Sequence, residues 1–278
     1  MRINKLEITS ATNPRIKAIK KLEQKRERDR EGLFVIEGFH LVEEAIKHHA
    51  EIETILYSTS ADVALLAKIE TDLIKTQGHQ QNLDSRNAGI DFILITDSIL
   101  KTLANTPAPQ GIIAILKQPK MAIEMLLDDN KRPLAHLLLL DNVQDPGNVG
   151  TMIRTAEAAG FKGIILGDGS ADLFNDKTIR ATQGALFQLP IIKANLEALL
   201  PALHHAGYES WVTTLEEATF YTALPKPQKC ALIMGNEGQG VDPKLQKLAS
   251  TKVKIPMLGQ SESLNVGVAA GILIYHLL

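Results

Sequence analysis

Three stretches of this chain join an apolar run to a loop of residue types that hold ligands. Leu137–Leu140 leads into Asp141-Asn-Val-Gln-Asp-Pro-Gly-Asn-Val-Gly150, with Asn148 and, further on, Arg154. Ala231–Met234 leads into Gly235-Asn-Glu-Gly-Gln-Gly240, which carries Glu237. Ile255-Pro-Met leads through Ser263 and Asn265 into a run of small apolar residues. Amide, carboxylate, hydroxyl and guanidinium groups hold polar ligands by hydrogen bonds, and glycine neighbours let the backbone come close to them. Each group also has an ordinary structural reading. Asp145-Pro-Gly-Asn148 reads as a tight turn with Asn148 capping the next helix, Asn236-Glu-Gly as a turn, and Ser263 and Asn265 as caps of the last helix. An arginine near a helix start is normally surface decoration and repels the helix dipole. Three such loops in one half of the chain nevertheless predict a composite pocket.

The elements that must position these loops alternate regularly. From Leu134 onward the apolar runs predict strands over 137–140, 163–166, 189–192, 210–214, 230–234 and 252–255. Helices are predicted over 149–159, 177–185, 196–207, from Pro243, and over 264–278. Continuous apolar strands alternating with helices predict an α/β fold, a mainly parallel sheet with helices on both faces. Ligands of such sheets bind at the carboxyl ends of the strands, where all three loops would gather. A smaller α/β module precedes it. Asn13-Pro14 reads as an N-cap with proline at the first helical position, opening a basic helix that stops at Gly32. Strands over 33–37, 52–58, 92–96 and 111–116 and helices over 39–49 and 61–76 complete the module, with a polar, irregular segment at 77–89. The resulting organisation is 1–118 as a first domain, 119–133 as a linker, and 134–278 as a second domain.

A hydrophobic content of 45% with 22% charged residues is that of a globular protein. The N-terminus has no apolar core or cleavage pattern, which points to the cytoplasm. Cys230 is the only cysteine, so an intrachain disulfide and a thiolate metal cluster are excluded. The histidines have no metal-ligand spacing, and no metal is expected. The glycine fingerprints of dinucleotide-binding and triphosphatase loops are absent, which argues against a dehydrogenase or a P-loop enzyme. The net charge is −2, yet through Arg30 ten basic residues face four acidic ones. Such a basic arm suits a nucleic-acid partner.

Asp145-Pro-Gly-Asn-Val-Gly-Thr-Met-Ile-Arg154, Ile233-Met-Gly-Asn-Glu-Gly-Gln-Gly240 and Ile255-Pro-Met with Glu262-Ser-Leu-Asn-Val266 resemble, in order, the three motifs of the SpoU (TrmH-type) RNA ribose 2′-O-methyltransferases of the SPOUT superfamily. The likeness runs from Leu134 to the end. Phe34-Val-Ile-Glu-Gly38-Phe-His is similar, less specifically, to the family's L30e-like substrate-binding module.

The resemblance implies an α/β trefoil knot preceded by a smaller L30e-like domain. It implies S-adenosylmethionine bound in a bent form by backbone groups around Gly235, Ile255 and Leu264, with Thr214 and Leu215 nearby and Met234 and Met257 as wall. Arg154 takes the position of the family's activator of the 2′-hydroxyl. Asn148, Glu237, Ser263 and Asn265 would orient Arg154, the phosphate and the cofactor. Arg15, Lys17, Lys20 and Lys21 on the basic arm, with Arg180, would contact RNA, and Gln183 would touch target selection. A homodimer with the active site near the subunit interface is implied. The accessory domain points to ribosomal RNA ahead of tRNA. A tRNA 2′-O-methyltransferase and a non-catalytic RNA-binding or ribosome-assembly factor on the same fold stay open as alternatives.

Overall fold

A computed structural model describes residues 3–77, 89–127 and 136–278. The chain divides into two compact units, one of residues 1–120 with 174–179 and one of residues 121–173 with 180–278.

In the first unit, β1 (Ile3–Ile8), α1 (Pro14–Lys21), α2 (Lys25–Glu31), β2 (Leu33–Glu37), α3 (Phe39–Lys47), β3 (Ile52–Ser58), α4 (Val63–Gln77), β4 (Ile90–Ile95), α5 (Asp97–Leu103) and β5 (Ile112–Lys117) follow one another. Their strands form a five-stranded sheet in the order β1-β4-β3-β5-β2. The first three strands run parallel, and β5 is antiparallel to both β3 and β2. The strand β1 is a departure from the sequence reading. Its centre is exposed and charged, so no alternation marks it, and it is held by register with β4 along a sheet edge.

The basic arm is two helices rather than one. Asn13 caps α1, accepting from the Arg15 N–H at 2.9 Å, and Pro14 stands in the first turn, as expected. The chain then turns at Leu22–Gln24 because Arg28 folds back and is buried, donating to the carbonyls of Leu22 at 2.8 Å and Glu23 at 2.7 Å. Gly32 ends α2 at φ 66°, a left-handed conformation that glycine adopts without strain. The underside of α1 (Ile16, Ile19) packs with α5 and the sheet in one apolar cluster.

The second unit opens with α6 (Glu124–Leu127), then β6 (Leu137–Leu140), α7 (Pro146–Ala158), β7 (Gly163–Leu166), α8 (Asp176–Thr182), β8 (Ile191–Lys193), α9 (Leu196–His205), β9 (Glu209–Thr213), β10 (Thr219–Phe220), β11 (Cys230–Met234), α10 (Pro243–Leu248), β12 (Thr251–Lys254) and α11 (Val266–His276). Residues 174–179, which include the start of α8, group with the first unit. The seven strands are all parallel, in the order β10-β12-β9-β11-β6-β7-β8. Leu137 and Leu139 with Ala231 and Ile233 face α9 and α10 in one core, into which Leu126 of α6 also packs. The alternate residues, Leu138, Leu140, Leu232 and Met234, point the other way and are equally buried. Each fully buried leucine contributes roughly 1.5–3 kcal/mol. A strand buried on both faces therefore has to read as an unbroken apolar run.

After β12, near one edge of the sheet, the chain returns inward, and α11 packs along α7 and against β11. A Cβ on Gly267 would stand 3.2 Å from Asn265 Oδ1 and 3.5 Å from Asn148 Oδ1, so the missing side chain there leaves room for two amides, whereas one on Gly271 would make only an ordinary contact, 4.0 Å from Thr155 Cγ2. Of the predicted segments, 78–88 and 128–135 lie outside the described residues. Among the described residues no helix is long and apolar enough to cross a membrane.

Candidate active site

Because the strands are parallel, the segments leaving β6, β9, β11 and β12 emerge at one end of the sheet. A cavity of about 570 Å³ opens there. All six positions expected at a cofactor line it: Thr214, Leu215, Gly235, Ile255, Met257 and Leu264. Glu237 and Ser263 also face it, whereas Asn148, Arg154 and Asn265 stand outside its lining. Glu216, Gln246 and Lys254 belong to the wall as well. Sequence reading missed them because nothing local marks them, and only the neighbouring strand ends bring them to the cavity.

The β11 loop is fixed by its own backbone. Asn236 and Gly240 exchange hydrogen bonds, N–H of Asn236 to O of Gly240 at 2.9 Å and the reverse at 3.0 Å. The Asn236 side-chain oxygen accepts from the N–H groups of Gly238 and Gln239, both at 3.0 Å. This closed loop lies directly over Gly235, where an added Cβ would meet Gly240 C at 2.3 Å and Gly240 O at 2.5 Å. Only glycine fits, and the backbone of the cavity wall stays bare.

Two bridges tie this loop to the one after β6. Asn236 Nδ2 donates to the Asn142 carbonyl at 2.9 Å, and Asp141 Oδ2 accepts from the Asp242 N–H at 2.7 Å. Glu237 reaches across as well. Its carboxylate accepts from the Gln144 N–H at 3.2 Å, the Asp145 N–H at 3.0 Å and Asn148 Nδ2 at 3.0 Å. Burial pushes the Glu237 carboxyl up, but these donated hydrogen bonds outweigh it and hold it below its ordinary value. Asn148 Oδ1 in turn accepts from Asn265 Nδ2 at 3.0 Å.

One expected cap changes hands. Asp145, not Asn148, caps α7, accepting from the Asn148 N–H at 2.7 Å with Pro146 first in the helix. The proline's fixed φ starts the helix earlier than its apolar pattern does. Of the two caps expected for α11, Asn265 serves, accepting from Gly267 N at 2.9 Å and Val268 N at 3.2 Å, and Ser263 does not. Ser263 is left exposed at the cavity. Arg154 is exposed on α7 two turns from the helix start, with no hydrogen bond or ion pair among the described residues.

The predicted RNA contacts divide. Lys17 and Lys21 are exposed on α1. Arg15 is turned inward onto Asp91 and Thr54, and Lys20 pairs with Glu23 and the Thr102 carbonyl. A guanidinium beside a half-buried carboxylate gains more from the pair than from water, a preference spacing alone does not reveal. Arg180 is half-buried at the end of α8, its carbonyl accepting from Gln183 Nε2 at 2.9 Å. Gln183 itself is exposed, with φ 50°.

A parallel α/β sheet with a cavity at its carboxyl end, walled by glycine-rich backbone and ringed by amide and carboxylate groups, defines a small-molecule-binding catalytic domain. Residues 135–275 match the SpoU rRNA Methylase family, and residues 13–114 match the MRM3-like substrate binding domain. The chain belongs to the SpoU rRNA methylase family. It is 40% identical, over 98% of both chains, to the 23S rRNA (guanosine(2553)-2′-O)-methyltransferase RlmP of Bacillus subtilis (strain 168). Among solved structures it is similar to the AdoMet-bound rRNA methyltransferase from Sinorhizobium meliloti, at 31% identity and a TM-score of 0.83 over 99% of each chain. A TrmH-family protein from Porphyromonas gingivalis matches at 26% identity and a TM-score of 0.76, over 96% of this chain and 97% of that one.

Proposed function

We propose that this chain is an S-adenosylmethionine-dependent methyltransferase that modifies a ribose 2′-hydroxyl in ribosomal RNA of the 23S type. The observation that carries the reading is the convergence of Thr214, Leu215, Gly235, Ile255, Met257 and Leu264, drawn from three separate loops, on one cavity. Full-length likeness to a 23S rRNA 2′-O-methyltransferase and to an AdoMet-bound rRNA methyltransferase supports it. The cavity suits this cofactor: its volume lies in the range of small-molecule sites, and its walls pair apolar side chains with the bare backbone around Gly235. When bound, S-adenosylmethionine supplies an electrophilic methyl group.

The chain's own residues supply alignment and charge. Holding a hydroxyl in line with its reaction partner contributes roughly 7–11 kcal/mol of barrier reduction. A guanidinium stays protonated at neutral pH and is a poor base. Arg154 therefore grips the flanking phosphate and stabilises charge developing on the ribose oxygen. Ser263 and Leu264 position the reacting groups at the cavity. Lys17 and Lys21 of the N-terminal unit supply phosphate contacts to the RNA, while Arg15 and Lys20 are committed within that unit. A homodimer is supported by Val268 and Tyr275, exposed apolar residues two turns apart on one face of α11. The cytoplasm, where ribosomal RNA is found, is the expected place of action.

The test is transfer of labelled methyl from S-adenosylmethionine to ribosomal RNA and tRNA from cells lacking this protein, followed by digestion to nucleosides. A 2′-O-methylnucleoside from 23S rRNA is expected. Label in tRNA alone would redirect the substrate, and a base-methylated product would overturn the reaction.

A further inference from the structure

The hydrogen bonds that link Glu237, Asn148 and Asn265 run in one direction only. At one end stands the Glu237 carboxylate, which can only accept. At the other stand the N–H groups of Gly267 and Val268 at the start of α11, which can only donate. Between them lie two side-chain amides, each with one donating and one accepting end. Asn148 donates to Glu237, so its oxygen must face Asn265. Asn265 donates to that oxygen, so its own oxygen must face the helix. Neither amide can turn over without setting acceptor against acceptor at one end or donor against donor at the other.

We propose that Glu237, Asn148 and Asn265 form a polarised relay that sets Ser263 and Leu264 at the cavity, and that they are positioning residues rather than acid or base. The inference rests on the methyltransferase reading only for its catalytic readout. Asn265 directly follows Ser263 and Leu264, both in the cavity wall, so its orientation fixes the loop that carries them. Asn148 stands on α7, the helix that also bears Arg154. One carboxylate thereby couples the loop at the cavity to the helix of the guanidinium.

A relay with a direction can be reversed, and that is its test. In Asn265→Asp, one carboxylate oxygen still caps α11, and aspartate is a good cap. The other oxygen faces Asn148 Oδ1. If Asn148 turns to donate to it, its oxygen meets Glu237. No orientation satisfies both ends. In Glu237→Gln alone, the new amide keeps its oxygen toward Asn148 and Asp145 and sets its NH2 against the Gln144 N–H, a smaller loss. Combined, the two changes agree again. The amide introduced by Glu237→Gln donates to Asn148, and Asn148 donates to the carboxylate introduced by Asn265→Asp. The Asp145 N–H then loses its acceptor, so recovery is partial.

The expected pattern is suppression. The Asn265→Asp variant should lose about tenfold or more in kcat and show a lowered Tm. Adding Glu237→Gln, harmful by itself, should raise both, where independent sites would show additive losses. Additive or worse losses in the double variant would overturn the relay, because an Asn265 acting directly on substrate or cofactor cannot be repaired from Glu237. Tm is read without RNA or methyl transfer, which separates the two readings. Suppression in Tm with no methylation by the parent protein would sink the activity and keep the relay. Methylation by the parent with additive losses would do the reverse.

Discussion

Arg15 Nη2 lies 2.6 Å from Asp91 Oδ2 and 2.9 Å from Thr54 Oγ1, so the first arginine of α1 is spent inside its own unit. Burial pushes the Asp91 carboxyl up, but hydrogen bonds from Asn4 and Arg15, with the arginine's charge, hold it below its ordinary value. Arg15→Ala should cost roughly 1 kcal/mol, allowing for the partial exposure of the pair, and lower Tm by a few degrees. The salt dependence of RNA binding should not change. Lys17→Ala and Lys21→Ala should do the opposite, leaving Tm alone while each reduces the slope of log K against log salt by about 0.7–0.9. Anisotropy titrations at several salt concentrations, beside thermal melts, check both halves.

Arg154 stands on α7 outside the cavity lining, with no partner among the described residues. Arg154→Ala should therefore reduce methyl transfer by about 10²–10³-fold, the effect of losing one preorganised charge-stabilising group. The affinity for S-adenosylmethionine should stay nearly intact by calorimetry. An equal loss of cofactor affinity would assign Arg154 to the cofactor instead.

Two glycines of one loop should respond differently. At Gly235 a methyl group would collide with the Gly240 and Val241 backbone, where nothing flexible can give way. At Gly238 the nearest atom to an added Cβ is Asn236 Oδ1, at 3.7 Å. Gly235→Ala should weaken cofactor binding by about tenfold or more, equivalent to about 1.4 kcal/mol, and Gly238→Ala should leave it close to the parent value. Equal affinities for the two variants would remove the close-packed loop from the account of cofactor binding.

His136 gives the fold a sensitivity to acid. It is 2% exposed, its Nδ1 accepts from the Cys230 N–H at 3.0 Å, and the ring also hydrogen-bonds the Leu277 backbone. Burial pushes its pKa below the ordinary 6.5, and the Leu277 bond only partly opposes this. Below about pH 6.5 the unfolded chain therefore binds more protons at this site than the folded one. Stability is full above that pH and falls as pH drops toward the depressed value, by at most about 1.4 kcal/mol per pH unit. Thermal melts between about pH 7.5 and about pH 5.5 check this, and His136→Gln should flatten the fall in Tm across that range. Some slope should remain, since burial and the charge of Lys226 also hold His276 down.

Much of this molecule was legible before folding. The four-leucine run of β6 and the apolar runs of β7 and β11 had to be buried on both faces, which predicts a parallel sheet. Asn13-Pro14 marked its helix start, and Gly32 its helix end, through backbone chemistry that is local. The motif resemblance marked the six cofactor positions that line the cavity, but not that Asn148, Arg154 and Asn265 stand outside it. Strand β1 was hidden because it borrows its stability from β4 across the sheet.

What the sequence determined by itself is most of the elements and the family, since periodicity, caps and motifs depend on residues within a few positions of one another. The tertiary structure decided which polar groups meet. Asn265 reaches Asn148, Glu237 reaches Gln144, Asp145 and Asn148, and Arg15 reaches Asp91, each across a long stretch of chain. A side chain's partner is chosen by what lies within about 3 Å once the strands are registered. That distance is fixed by packing, which no single stretch of sequence contains.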